Sequence, residues 1–212
     1  MAFPTTDMAG HQRLKERAEA VLNRAVEASD VEFKVSAPWD ALQWNILKTV
    51  LGMGNLRDGG LIVVGLSEAQ ATWQLDGISP PDLASFDADK IAAAFEKYVS
   101  PAPAVEVVLH YRGDKVFLVF DIGEFEEIPF VCRRNGPADS RLEVAGFYHR
   151  PLGGVPRTER VRSVEDMRPI LQVAAEKGAR RLLEQAGRVG LLEPPNPPIS
   201  DDIMYDAELG DL

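Results

Sequence analysis

The chain has 212 residues, is 45% hydrophobic and carries a formal net charge of −10. That length and apolar content suit one large domain or a domain with appendages, and the single cysteine, Cys132, excludes an internal disulfide and fits a reducing compartment. The longest aliphatic run, residues 61–64, is too short to cross a membrane, and the first residues show no basic or apolar signal region, so the expected location is cytoplasmic with no membrane partner.

An acidic chain speaks against nucleic-acid binding, but the charge is uneven. Residues 193–212 hold six acids and no base, which leaves −4 for the body. Residues 130–162 hold seven arginines against three acids, a segment of +4. Arginine is suited to bidentate phosphate contacts. Arg133, Arg134, Arg150, Arg157 and Arg160 are therefore candidate nucleic-acid contacts, and a solvated basic loop is the alternative.

In chain order, residues 1–9 read as a flexible start and 10–190 as the folded domain. Leu14, Ala18, Val21, Leu22 and Ala25 repeat at helical spacing over 10–28. Residues 31–35 alternate as a strand, with Val31, Phe33 and Val35 on the core face and Glu32 and Lys34 on the other. Glu27 comes just before it. Two carboxylates and a lysine can thus converge where a helix feeds a strand, an arrangement able to hold a divalent metal and an attacking water, or to be an ordinary solvated face. Ser36 to Pro38 open a second helix, with Ser36 as its cap and Leu42, Ile46, Leu47, Val50 and Leu51 inward. Residues 52–60 are glycine-rich and read as a helix stop and tight turn. Residues 61–66 then form a buried central strand. A short strand at 73–77, a loop at Pro80-Pro81, a helix over 87–100 and a hairpin over 105–122 follow. Short strands are expected at 129–133 and 145–150. A last helix runs from Ser163 toward Leu183, with an acid three residues after the cap and a kink or split at Pro169. Residues 191–212 read as a proline-rich acidic tail, extended and available to a protein partner or to the basic segment.

The ordered set Glu27, Glu32-Phe33-Lys34, Gly52-Met53-Gly54-Asn55, Gly59-Gly60, the apolar run to Gly65, Glu68 and Gly77 resembles the Schlafen AlbA-type domain, a family associated with DNA and ATP binding. Phe147 to Arg150, with Gly153-Gly154, is similar to the family's Tyr-x-Arg-x-Gly segment. The resemblance spans about residues 20–185. It implies an α+β (mixed α/β) fold with a predominantly antiparallel sheet flanked by helices. It further implies a metal-dependent endoribonuclease acting on structured RNA, RNA ahead of DNA. Glu27, Glu32 and Glu68 would bind Mg²⁺ or Mn²⁺, and Lys34 would steady the transition state. Aligned on Glu68 the acidic triad is complete; aligned on Ser67 it is not. The alternatives are a non-catalytic nucleic-acid or nucleotide-binding module, and a protein-interaction module working through the acidic tail. Resembled enzymes pair two such lobes, so a single lobe is expected to form a homodimer, with the 10–28 and 163–183 helices as candidate surfaces.

Overall fold

The structure, a computed structural model, describes residues 8–151, 153 and 155–190; the N-terminal seven residues, Leu152, Gly154 and the acidic tail of 191–212 lie outside the described residues. The chain divides into two compact units, Met1–Ala174 and Ala175–Leu212. In order, the elements are α1 (Met8–Arg24), β1 (Val31–Lys34), α2 (Trp39–Met53), β2 (Gly60–Val64), β3 (Leu66–Ala69), β4 (Thr72–Leu75), α3 (Pro80–Leu83) and α4 (Ala88–Tyr98). There follow β5 (Val99–Ser100), β6 (Val105–Arg112), β7 (Lys115–Ile122), β8 (Val131–Cys132), a 3-10 turn η1 (Ala138–Ser140), β9 (Tyr148–His149), β10 (Glu159–Arg160) and α5 (Val164–Arg188).

The first unit is an α+β sandwich around a four-stranded sheet of order β1-β2-β7-β6. Only β1 and β2 run parallel, joined by the crossover α2; β2–β7 and β7–β6 are antiparallel. Alternation along each strand sorts its side chains between two apolar layers. Val31, Phe33, Leu61, Val63, Phe117 and Val119 face α1, which buries Leu14, Ala18 and Leu22 against them. Ile62, Val64, Leu118, Phe120 and Ile122 face the other way, onto Ile46, Leu47 and Val50 of α2 and Ile91 and Phe95 of α4. The apolar stripe of α1 is thus consumed by its own sheet. On α5, Ile170 and Val173 are buried, whereas Leu171, Leu182 and Leu183 are exposed.

Several local expectations need correction. α1 ends at Arg24 because Ala25 takes a left-handed φ of 47°, so Glu27 lies in the connection rather than on the helix. Val35 is 48% exposed because β1 stops at Lys34. Ser36 does not cap α2. Its hydroxyl donates to Asp82 Oδ2 at 2.6 Å, and the N–H of Trp39 at the start of α2 is instead met by Ser85 Oγ at 2.8 Å. Residues 66–75 form the hairpin β3–β4, and Pro80 opens the short α3 behind its cap, Ser79. α5 continues through Pro169. Its predicted capping box is present: Asp166 N–H donates to Ser163 Oγ, and Ser163 N–H donates to Asp166 Oδ2, both at 3.1 Å.

Residues 52–55 do more than stop a helix. A Cβ on Gly52 would lie 2.5 Å from Thr158 Cγ2, and one on Gly54 would overlap the Phe130 ring. The missing side chains let two later segments press against the end of α2. Asn55, buried, then clamps them: its Nδ2 donates to the carbonyls of Phe130 (2.9 Å) and Tyr148 (3.0 Å), while its Oδ1 accepts the Phe130 N–H at 2.7 Å. Replacing Asn55 by alanine strands three buried backbone groups, so a loss of about 3 kcal/mol is expected in urea denaturation. Asn55→Asp, which keeps the acceptor but turns a carboxylate toward two carbonyls, should be no more stable than the alanine variant.

Candidate functional site

A cleft of about 870 Å³ opens beside the outward face of β1. One wall is regular structure: Glu32 and Lys34 of β1, and Asn45, Lys48 and Thr49 of α2. The other is built from the basic segment, with residues 135–138 and Arg141 to Glu143 around η1, Tyr148 of β9, and Arg157 to Arg160 with Arg162 around β10. Tyr148 braces that wall. Its hydroxyl donates to the Arg141 carbonyl at 2.7 Å and accepts the Glu143 N–H at 2.9 Å.

The two walls meet through Arg150. Its side chain has no exposed surface. Nε donates to the Ser29 carbonyl at 2.6 Å, and Nη2 to the carbonyls of Ala28 (3.0 Å) and Val31 (3.4 Å). Nη1 donates to Glu32 Oε2 at 2.7 Å and to Thr158 Oγ1 at 3.3 Å. Glu32 is therefore held on one oxygen by Arg150 and on the other by Lys34. Glu27 lies behind them and accepts the Phe33 N–H on Oε1 at 2.9 Å. Desolvation raises its pKa; the Phe33 hydrogen bond opposes this, the Glu32 charge adds to it, and Lys34 and Arg150 oppose it.

The structure thus brings Glu27, Glu32 and Lys34 together but does not add Glu68. That residue stands exposed on β3, opposite Trp73, and does not line the cleft. Among the described residues no group of three or more His, Cys, Asp or Glu could hold a metal. The donors do not fit Mg²⁺ or Mn²⁺: both oxygens of Glu32 are engaged by cations, and one oxygen of Glu27 by a backbone N–H.

Of the arginines singled out from sequence, Arg157 and Arg160 line the cleft, paired with Glu159 and Glu143 respectively. Arg133 and Arg134 lie outside its lining; Arg133 donates to the Glu96 carbonyl at 3.2 Å. Arg150 is a correction. Its buried guanidinium is spent on carbonyls, a hydroxyl and Glu32, and it presents nothing to a ligand backbone. Sequence reasoning counted Arg141 and Arg162 in the basic segment without singling them out, and passed over Lys48. None of the three has an ion-pair partner among the described residues. Lys48 could have been noticed as the lone base between Val35 and Leu56. Desolvation depresses its pKa, and the charges of Arg141 and Lys34 push the same way against Glu32.

No family model matches the chain, and no curated protein matches it. Among solved structures it is similar to the DIP2311 protein from Corynebacterium diphtheriae, at 16% identity and a TM-score of 0.47 over 76% of this chain. The chain spans only 28% of that protein's length. It is also similar to the N-terminal domain of a RecG-related protein from Nitrosomonas europaea, one named after an ATP-dependent DNA helicase. There the identity is 19% and the TM-score 0.47, over 71% of this chain and 94% of that domain. No helix among the described residues is long and apolar enough to cross a membrane.

Two outcomes follow from this geometry. Arg150→Met leaves Glu32 and three carbonyls without their partner, and should lower unfolding free energy by about 3–5 kcal/mol. Arg134→Met should change it by less than about 0.5 kcal/mol; equal effects in urea denaturation would contradict the buried clamp. Because the folded state raises the Glu27 pKa, it binds the proton more tightly than the unfolded chain does. Stability on this account is fullest below the ordinary glutamate range and is lost as pH rises through the raised value. Glu27→Gln, which can still accept the Phe33 N–H, should flatten that fall in a series of melts across acidic to neutral pH.

Proposed function

We propose that this cleft binds nucleic acid through its phosphates. The observation that carries the reading is the charge of the lining: six bases, Lys34, Lys48, Arg141, Arg157, Arg160 and Arg162, against three acids, Glu32, Glu143 and Glu159, in a chain of −10. A concave surface of opposite sign to its own protein is a feature that recognition of a polyanion explains and solubility does not. The ordered motifs that resemble Schlafen AlbA-type domains support the same reading, because they supply Glu32 and Lys34 of one wall and Tyr148 of the other. The metal-dependent cleavage that the resemblance implies is not part of it, since the carboxylates present do not offer a free oxygen set to a divalent ion. The cleft acts here as a binding module, with RNA ahead of DNA as ligand.

Fluorescence anisotropy with an RNA hairpin and the matching DNA duplex, across a salt series, tests it. Affinity should fall steeply with salt, and Arg157→Gln with Arg160→Gln should flatten the log–log slope by about 0.7–0.9 for each phosphate that the cleft no longer neutralises. Arg134→Gln, outside the cleft, should leave the slope unchanged. Salt-independent binding, or a slope that only the Arg134 change alters, would sink the reading.

A further inference from the structure

The cations of the cleft are not equivalent. Arg157 and Arg160 each have a carboxylate of their own. Lys48 and Arg141 have none among the described residues. Lys34 has only a share in one, because Glu32 also neutralises the buried Arg150. With Glu27 behind them, this group holds four bases, Arg150, Lys34, Lys48 and Arg141, against two acids, Glu27 and Glu32.

Lys34, Lys48 and Arg141 line one cleft, and there burial disfavours the charged form of Lys48, with Arg141 and Lys34 adding to the effect and Glu32 opposing it. A folded protein that holds three cations together without enough carboxylate bears a repulsion that an anion would relieve. The three come from different elements, β1, α2 and the turn after η1, so they converge on a ligand from separate directions. Arg141 is placed there by backbone as well as by charge, since it sits in a left-handed turn at φ 57° and its carbonyl is held by the Tyr148 hydroxyl.

We infer that Lys34, Lys48 and Arg141 form a phosphate subsite that works without a divalent metal. The inference rests on the nucleic-acid reading for its natural ligand and names the part of the cleft that takes one phosphate group. Glu32 is then a positioning residue rather than a metal ligand. Anchored by Arg150, it fixes the Lys34 ammonium in the cleft while leaving the group net positive. A divalent cation would be repelled by the same charge that draws the phosphate. The chemistry fits either a phosphodiester within a strand or a terminal phosphate.

The test uses the full chain in excess EDTA. Inorganic phosphate is titrated by calorimetry. Single-stranded RNA, with a 5′-phosphate or a 5′-hydroxyl, is titrated by anisotropy. Wild type should bind inorganic phosphate, and Lys48→Met and Arg141→Gln should each weaken it by about tenfold or more, the loss of one charge-assisted hydrogen bond. Lys48→Arg should restore most of the binding, and Arg134→Gln should change nothing. Binding that appears only after Mn²⁺ is added, or that is equal in wild type and Lys48→Met, overturns the inference. RNA binding that survives both variants but is lost in Arg157→Gln/Arg160→Gln overturns it while leaving the nucleic-acid reading intact. Phosphate binding that depends on Lys48 with no RNA binding supports the subsite and removes that reading. A Lys48-dependent preference for the 5′-phosphate assigns the subsite to strand ends, and equal binding of the two RNAs that Lys48→Met weakens alike assigns it to the phosphodiester; either supports it.

Discussion

A guanidinium withdrawn from water is the constraint on which this fold turns. Taking a charge that large out of solvent is tolerable only when its donors find acceptors and its charge finds a counter-ion. Arg150 meets both conditions with partners drawn from residues 28–32 and from Thr158. The backbone around Ser29 must therefore turn three carbonyls inward, and Glu32 must face the later wall rather than solvent. Lys34, two residues on along β1, inherits its place from Glu32. The room for all of this is made by Gly52, whose absent side chain lets Thr158 and the Arg150 stem lie against α2.

The consequence for chemistry is a division of labour between cations. One is structural and sealed, two are leashed to carboxylates of the basic segment, and the remainder face an open concavity. On the proposed reading such a cleft would attract polyanions locally while the chain as a whole, at −10, would repel them. Encounter should thus depend on orientation and on ionic strength more than it would for a uniformly basic protein. It also changes what the glutamates mean. A pair of carboxylates five residues apart beside a lysine has the pattern of a metal centre, yet here one is spent on a backbone amide and the other on two cations.

Much of the frame was legible because it depends on periodicity. The alternation of β1, the continuous apolar run of β2, the 105–122 hairpin and the capping box of α5 each follow from local pattern. The cleft was legible only in part. Glu32 and Lys34 were found because they form the polar face of a strict alternation, and Arg157 and Arg160 because they cluster. Arg150 was misjudged for a physical reason: nothing in a stretch of arginines distinguishes the one that enters the core, since its acceptors lie some 120 residues earlier. Ser36 was misjudged likewise, because the cap it could have supplied locally comes instead from Ser85, 46 residues beyond Trp39. Lys48 was overlooked because a helix read for its buried stripe hides the residue at the stripe's margin.

The residues that make the cleft run from Glu32 to Arg162, and the Arg150–Glu32 contact alone closes a span of 118 residues. The hairpin β6–β7, by contrast, is closed within its own eighteen residues. Contacts of such long range are entropically costly until the elements between them are in place, so they form late. During synthesis the cleft cannot exist until the chain has been made through Arg162. A nascent or truncated chain would expose a sheet and helices but no site, and ligand occupancy would therefore favour only molecules that had completed folding.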